Sequence, residues 1–434
     1  MCSDGASGAI VTWYDDRNPL TTSWDIYAQH VFASGVIDPS WSPNGVAINT
    51  AVGDQTHASI VSDALGGAVI AWDDDRHGKG NSDIYALRVR SNGTIDPAWS
   101  SGGRQICGSM NAQNTPLTAS DGLGGAIITW SDFRSKTNYD AYAMRVLRSG
   151  ALAPGWHGNG EKLCGASGDQ EPVDIIADGS GGAVVVWNDQ RNLNYDVFAA
   201  RITASGSIPW TSNGVGVCTE PASQMFPHLT LDGTGGFFAG WQDYRNGGTD
   251  LYVHHLSLTG SLFPGWPTNG VRASFDGGMG TGQGHEPSLC VGSAGGAIVA
   301  WDKFNGSGGI FAMHLGASPP PAMTASASFA NHPAVEPPAT KRFSASLRIA
   351  GANPVVRSAK IGFAVSHETR MNLTVVDSQG RRIRQLFDGV ASPGEGSLQW
   401  DLTDDFGQRV RAGVYFIRLE TEGQRLTRQV VAIR

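Results

Sequence analysis

Six times along the chain, a run of small and aliphatic residues ends in a tryptophan: GAIVTWYDDR, GAVIAWDDDR, GAIITWSDFR, GAVVVWNDQR, GFFAGWQDYR and GAIVAWDKFN. The tryptophans, Trp13, Trp72, Trp130, Trp187, Trp241 and Trp301, stand 59, 58, 57, 54 and 60 residues apart. A short apolar run without alternation is the pattern of a strand buried on both faces. In a full unit an apolar segment such as ASIVSD, PLTAS or PVDIIAD precedes it. This segment opens on a Q-x-x-P-like signal, as in Gln113 to Pro116 and Gln170 to Pro172, and closes on a D-G-x-G-G sequence such as Asp121 to Gly125. Paired glycines after an Asp suit a tight hairpin, because Gly takes positive φ freely and Asp bonds its own backbone. After the tryptophan run, an alternating segment starts at Asp83 and reads Y-A-L-R-V-R. A Pro-Trp linker such as Pro97 to Trp99 then leads to a short last strand such as GVAIN.

Each unit therefore predicts four short strands. Repetition at this length, with Gly and aromatic marks, is the pattern of a β-propeller. The expected architecture is all-β, a six-bladed β-propeller over residues 1–317 with four-stranded blades and ragged ends. Copy one carries only Met1 to Asp4 as its first strand, and copy six stops after its third strand at Leu315. The ragged ends, with a start that has neither basic nor apolar signal regions, give the expectation of a leader and a further blade upstream.

Residues 318–340 break the repeat with a stiff Pro run from Ser318 to Pro321 and further Ala, Ser and Pro, which marks a linker. Residues 341–434 form a different unit of amphipathic strands split by Gly and Asp turns, the pattern of an Ig-like sandwich. Asn353-Pro354, Val375-Val376-Asp377 with Gly380-Arg381, Trp400-Asp401, Asp404-Asp405, Gly407 and Ala412 to Tyr415 resemble the flagellar hook-assembly-type Ig-like domain. The module also resembles the type IX secretion C-terminal sorting domain of secreted bacterial proteins. The resemblance covers about a fifth of the chain. It implies export, an extracellular or cell-surface home, and contact with the secretion machinery. It says nothing of what the propeller does, and the propeller itself resembles no specific family.

Composition sharpens this picture. Glycine, at 58 of 434 residues, is near twice the usual share of about 7%, which disfavours long helices. The net charge of −8 conceals a split: residues 1–340 hold 16 basic and 30 acidic side chains, residues 341–434 hold 15 and 9. So acidic a propeller is no phosphate-gripping surface, and nucleic acid is not an expected partner. No apolar run reaches the length of a transmembrane helix. The expected state is a monomer. Cys107, Cys164 and Cys218 occupy equivalent positions in successive repeats, too far apart for a disulfide, and read as buried thiols.

The most repeated polar motif is W-x-D-x-R: Asp15 and Arg17, Asp74 and Arg76, Asp132 and Arg134, Asp189 and Arg191, Asp243 and Arg245. Two readings stand. The motif is architecture, with each Arg fork pairing inside or between blades, or it forms a ring of ligand contacts on the rim face. The slot between Asp and Arg varies: Asp16, Asp75, Phe133, Gln190, Tyr244 and Phe304. It is acidic in two copies and aromatic in three, which suits one asymmetric site as well as it suits drift of loop residues. A glycosidase needs two carboxylates, and Asp16, Asp54, Asp75, Asp169, Glu171 and Glu286 are rim carboxylates from which no spacing selects a pair. H-E-x-x-H, G-x-S-x-G and Walker sequences are absent. The glycine-rich stretch from Gly277 to Gly284 precedes a strand and is no phosphate cradle. No cofactor is expected. Asp73 to Asp75 invites calcium but lacks the loop spacing for it.

These features lead to the expectation of a secreted or surface binding protein whose rim face recognises extracellular polysaccharide or another surface ligand. A carbohydrate-active hydrolase or lyase with its site at the channel mouth is the second expectation, and a non-catalytic adhesion scaffold the third.

Overall fold

The computed structural model describes every residue except 19–22, 79, 275–286, 293–295, 304–308, 317–344, 351–354, 356–357, 366–367, 378–380, 393, 422–423 and 433–434. Phe304, Glu286, the 318–340 linker, the Gly277–Gly284 stretch, Asn353-Pro354 and Gly380 thus lie outside the described residues. The chain divides into two compact units, 1–324 and 325–434. All regular structure among the described residues is strand.

The first unit is a propeller-like series of antiparallel sheets in chain order. Sheet one holds β1 (Cys2–Ser3), β2 (Ala9–Asn18), β3 (Ser23–Val31) and β4 (Val46–Asn49). Sheet two holds β5 (Gln55–Ser62), β6 (Ala68–Asp74), β7 (Asp83–Val89) and β8 (Arg104–Cys107). Sheet three holds β9 (Gln113–Ser120), β10 (Ala126–Asp132), β11 (Asp140–Val146) and β12 (Glu161–Cys164). Sheet four holds β13 (Gln170–Ala177), β14 (Ala183–Asp189), β15 (Asp196–Ile202) and β16 (Val215–Cys218). Sheet five holds β17 (Gln224–Leu231), β18 (Gly236–Asp243), β19 (Asp250–Ser257) and β20 (Val271–Arg272). Among the described residues sheet six has three strands, β21 (Ser288–Val291), β22 (Ala297–Lys303) and β23 (Gly309–Leu315).

Each sheet packs its first strand on the sheet before it: β5 on β2, then β9 on β5, β13 on β9, β17 on β13, and β21 on β17. The second strands β6, β10, β14 and β18 are buried along their whole length, since a neighbouring sheet covers each face. Apolar cores fill every seam, from sheets one and two to sheets five and six. Among the described residues no comparable strand packing joins sheet six to sheet one. There Ile298 is 40% exposed, whereas its counterparts Val69, Ile127 and Val184 are fully buried.

Two glycine positions make the repeat compact. Before each outer strand, Gly45, Gly103, Gly160, Gly214 and Gly270 have positive φ and receive the edge of the repeat tryptophan; a Cβ on Gly103 would lie 2.6 Å from Trp72. In the hairpin, a Cβ on Gly67 or Gly125 would strike the facing strand carbonyl at 2.4 or 2.2 Å. The hairpin Asp holds this turn: Asp63 Oδ1 accepts the Leu65 and Gly67 N–H groups, both at 2.8 Å. Its other oxygen receives Arg88 from β7. The linker tryptophans stitch sheet to sheet, Trp41 donating to the Ser91 carbonyl, Trp99 to Arg148, Trp156 to Ala204 and Trp210 to Leu258, at 2.9–3.2 Å.

The second unit has two antiparallel sheets. One is β24 (Ala345–Ala350), β25 (Ala359–Val365) and β28 (Gly394–Trp400); the other is β26 (Thr369–Asp377), β27 (Arg382–Ala391), β29 (Gly413–Thr421) and β30 (Gln424–Ala432). Both face one core, with Ile361 and Trp400 from the first sheet against Leu373, Ile417 and Leu419 from the second. The Asp residues quoted from its sequence make turns: Asp377 accepts the Arg381 N–H, and Asp404 accepts those of Phe406 and Gln408.

Candidate functional site at the first-strand mouth

Each W-x-D-x-R motif is a closed local network. The indoles of Trp72, Trp130, Trp187 and Trp241 donate to Asp74, Asp132, Asp189 and Asp243 at 2.7–2.9 Å. The guanidinium Nε of Arg76, Arg134, Arg191 and Arg245 donates to the other oxygen of the same carboxylate at 2.8 Å. Each guanidinium also lies 3.7–3.9 Å over the ring of the third strand, Tyr85, Tyr142, Phe198 or Tyr252. Its Nη2 reaches the carbonyl just before the tryptophan-receiving glycine, at Gly102, Asn159, Asn213 and Asn269. These four Asp side chains are fully buried. Asp15 and Arg17 repeat the pair with more exposure. This geometry favours the architectural reading of the motif.

The variable slot lies at the same end of the sheets. Its backbone N–H donates to the carbonyl of the residue just before the first strand: Asp75 to Asp54, Phe133 to Ala112, Gln190 to Asp169, and Tyr244 to Ser223. Asp16 is exposed, and Phe133 packs on Tyr139 with ring centroids 5.0 Å apart. The Asp73–Asp75 run does not converge: Asp73 receives His57 and Thr56, while Asp74 serves Trp72 and Arg76. Among the described residues no group of three or more His, Cys, Asp or Glu is placed to hold a metal. The thiols of Cys107 and Cys218 are pushed up to about 12, and that of Cys164 to about 11, first by burial.

What the sequence reading missed lies one strand inward. Every full first strand carries a bulge opposite its tryptophan. Thr115 and Pro116 face Trp130, His57 and Ala58 face Trp72, and Phe226 and Pro227 face Trp241. His57, Thr115 and Phe226 have φ of 48°, 55° and 54°, a left-handed conformation that costs an L-residue about 1–2 kcal/mol. In sheet four proline holds this position. Its ring forbids positive φ, and the extra residue shifts to Val173. The Gln that opens the first strand in copies two to five anchors the segment before the bulge, Gln55, Gln113, Gln170 and Gln224 each donating to a backbone carbonyl two residues earlier in the chain.

These bulges from sheets three, four and five enclose a cavity of about 480 Å³. Asn114, Thr115, Tyr139, Glu171, Phe226 and His228 line it, with Ser131 and Asn188 also on its wall. No Asp or Arg of the W-x-D-x-R motif and no slot residue lines this cavity; Ser131 and Asn188 stand between the Trp and the Asp of their motifs. Glu171 is the one lining residue drawn from the rim carboxylates. It is partly buried, and no hydrogen bond holds its carboxylate among the described residues. Burial raises its pKa, and the negative charge of Asp169 raises it further. Asp169 itself accepts the Tyr139 N–H at 2.8 Å. His228 sits 3.5 Å from Asp174, whose carboxylate also takes the Leu229 N–H. The available signal was the variability after the first-strand Gln: Thr56-His57, Asn114-Thr115, Glu171-Pro172 and Met225-Phe226.

No family model and no curated protein sequence matches the chain. Among solved structures it is similar to PorZ, a bacterial surface component of the type IX secretion system of Porphyromonas gingivalis, at 13% identity and a TM-score of 0.33. That match covers 98% of this chain and 51% of the other, so the chain spans about half the length of that protein. It is also similar to an α-L-arabinanase of Penicillium chrysogenum complexed with arabinobiose, at 13% identity and a TM-score of 0.37, covering 78% and 93%. A microbial sialidase, Hz136, matches at 13% identity and a TM-score of 0.34, covering 68% and 65%. All three are distant likenesses of outline, and what those proteins act on belongs to them.

Proposed function

We propose that the protein is an extracellular or surface-attached glycan-binding protein whose ligand enters the first-strand mouth of sheets three to five. The observation that carries this is the cavity itself. Three bulged strands, two with a strained non-glycine residue, turn amide, hydroxyl, carboxylate and aromatic groups into one space. Strain of that kind accumulates where side chains are aimed at a task. Aromatic faces beside amides and carboxylates suit sugar rings and their hydroxyls. Asp16, Asp75, Phe133 and Tyr244, at the same end of the sheets, form the outer rim in this reading.

Glu171 favours a second reading, cleavage of the bound glycan. A carboxyl whose pKa is raised by burial and which has no internal hydrogen-bond partner is shifted toward the role of proton donor. Asp169, the neighbouring carboxylate that contributes to that rise, is the second carboxyl such chemistry calls for. Activity would then fall as pH rises through the Glu171 pKa, because the donor loses its proton.

The six sheets support a six-bladed assignment for residues 1–317. Two sheets over one core support an Ig-like assignment for 341–434. So does Tyr415, whose hydroxyl donates to the Arg411 carbonyl at 2.8 Å, as the corner tyrosine of such sandwiches does. On that assignment the second unit serves export and attachment.

The test is titration of the full chain with neutral oligosaccharides, alongside assay of reducing-end release from matched polysaccharides. Asn114→Ala and Phe226→Ala should each weaken binding about tenfold, roughly the loss of one buried contact. Glu171→Gln should abolish release while largely sparing binding if cleavage occurs. Binding unchanged in all three variants would sink the mouth site.

A further inference from the structure

A second cavity, of about 840 Å³, lies at the opposite end of sheets two and three, beside the D-G-x-G-G hairpins. Arg88, Arg90, Arg145 and Arg148 line it, flanked by Leu65 and Leu123 at the hairpin tips. Two of these arginines are required by the repeat. Arg88 pairs with Asp63 and Asp96, and Arg145 donates to Asp121 at 2.9 and 3.1 Å. The same position is His30, Arg201 and His255 in sheets one, four and five, each on its own hairpin Asp.

The other two are not required. In the first five copies the position of Arg90 is otherwise Phe32, Leu147, Thr203 or Ser257, and that of Arg148 is otherwise Ala33, Ser91, Ala204 or Leu258. The repeat uses only the backbone carbonyl at the second position, as acceptor for the linker tryptophan. Both extra arginines nevertheless fall at one seam and open on one cavity. Arg90 is 46% exposed and shares Asp96 with Arg88 at 3.0 Å. Arg148 is exposed, and its guanidinium has no carboxylate partner among the described residues. Asp63, Asp96 and Asp121 are already held by arginine, so the cavity presents a free cationic fork in a strongly acidic unit.

We propose that this cavity binds an oligosaccharide carrying carboxylate or sulfate groups, separately from the mouth site. For the saccharide class the proposal rests on the glycan-binding reading above; the need for negative charge comes from the arginines alone. The volume lies within the range of small-ligand pockets, and a guanidinium fork matches the paired oxygens of either anion.

The experiment is calorimetric titration of the full chain with galacturonate oligosaccharides, a sulfated galactan oligosaccharide and a neutral oligosaccharide of equal length. At least one acidic probe should bind, more weakly as salt rises, and which one binds separates carboxylate from sulfate. Arg148→Ala should weaken that binding about tenfold, and Arg90→Ala with Arg148→Ala should remove it, consistent with loss of charge-assisted bonds. Arg148→Lys, which keeps the charge without the fork, should fall between. Glu171→Gln and Phe226→Ala should leave the acidic probe unaffected, so failure of the mouth site and failure of this one are read separately. Absence of binding by both acidic probes, or equal binding by the double alanine variant, overturns the proposal.

Discussion

Asp132 shows how much one side chain does in this repeat. Its two oxygens hold Trp130 and Arg134, and it is fully buried. Removing one member of a buried pair leaves the other charge stranded, at a cost of about 3–5 kcal/mol. Asp132→Ala should lower the unfolding free energy by that amount in a urea titration. Asp16→Ala, at an exposed slot, should shift it by less than about 0.5 kcal/mol. The motif was legible as W-x-D-x-R, but the partners of its carboxylate were not. These depend on whether the carboxylate faces water or an indole, and the chain order of residues does not say. Glu171 was legible only as one rim carboxylate among six. Its distinction is its surroundings, and these come from three different sheets.

At the scale of the strand, alternation and turn chemistry carry the information. The D-G-x-G-G hairpins and the buried tryptophan strands form where the pattern places them, because Gly at positive φ and unbroken apolar runs are local requirements. The bulge in the first strand is not written in any periodicity. It places one extra first-strand residue opposite or beside the tryptophan of the second strand. Gly103→Ala should destabilise by about 2–4 kcal/mol, from left-handed strain together with overpacking against Trp72. Thr115→Gly should be neutral or stabilising by up to about 1 kcal/mol, since relief of the strained φ offsets the added chain entropy. Thermal denaturation should show a clear loss for Gly103→Ala and none for Thr115→Gly. A loss of stability in Thr115→Gly would contradict the strain assigned to the bulge.

The whole molecule responds to pH through buried histidines of opposite sign. His254 is fully buried, and burial, then the neighbouring His255 charge, pushes its pKa down to about 4. In the unfolded chain an ordinary value near 6.5 returns. Between those values the unfolded state binds the extra proton. Stability from this group is therefore complete above about pH 6.5, falls as pH drops, and levels off near pH 4, for a total on the order of 3 kcal/mol. His30 works the other way. Burial opposes its charge, but hydrogen bonds to Asp4 and Asp38 outweigh that and raise its pKa. Its contribution is present at low pH and is lost as pH rises through the raised value. Urea unfolding across this range should show a smaller acid-side loss in His254→Gln and a smaller loss on raising pH in His30→Gln. Parallel pH profiles for wild type and His254→Gln would contradict the burial assigned to it.

The sequence alone determined the all-β class, the count and order of the repeated units, the strand and hairpin positions, and the change of pattern near residue 318. These follow from local chemistry: side-chain periodicity, glycine's access to positive φ, and the reach of an Asp to its own turn. The tertiary structure decided what those units enclose. It tied each repeated Asp to an indole and an Arg, left one face of the sixth sheet without comparable strand packing among the described residues, gathered Asn114, Glu171 and Phe226 around one cavity, and gathered Arg90 and Arg148 around another. Residues that meet across a seam lie tens of residues apart, and only the packing of whole sheets brings them within reach.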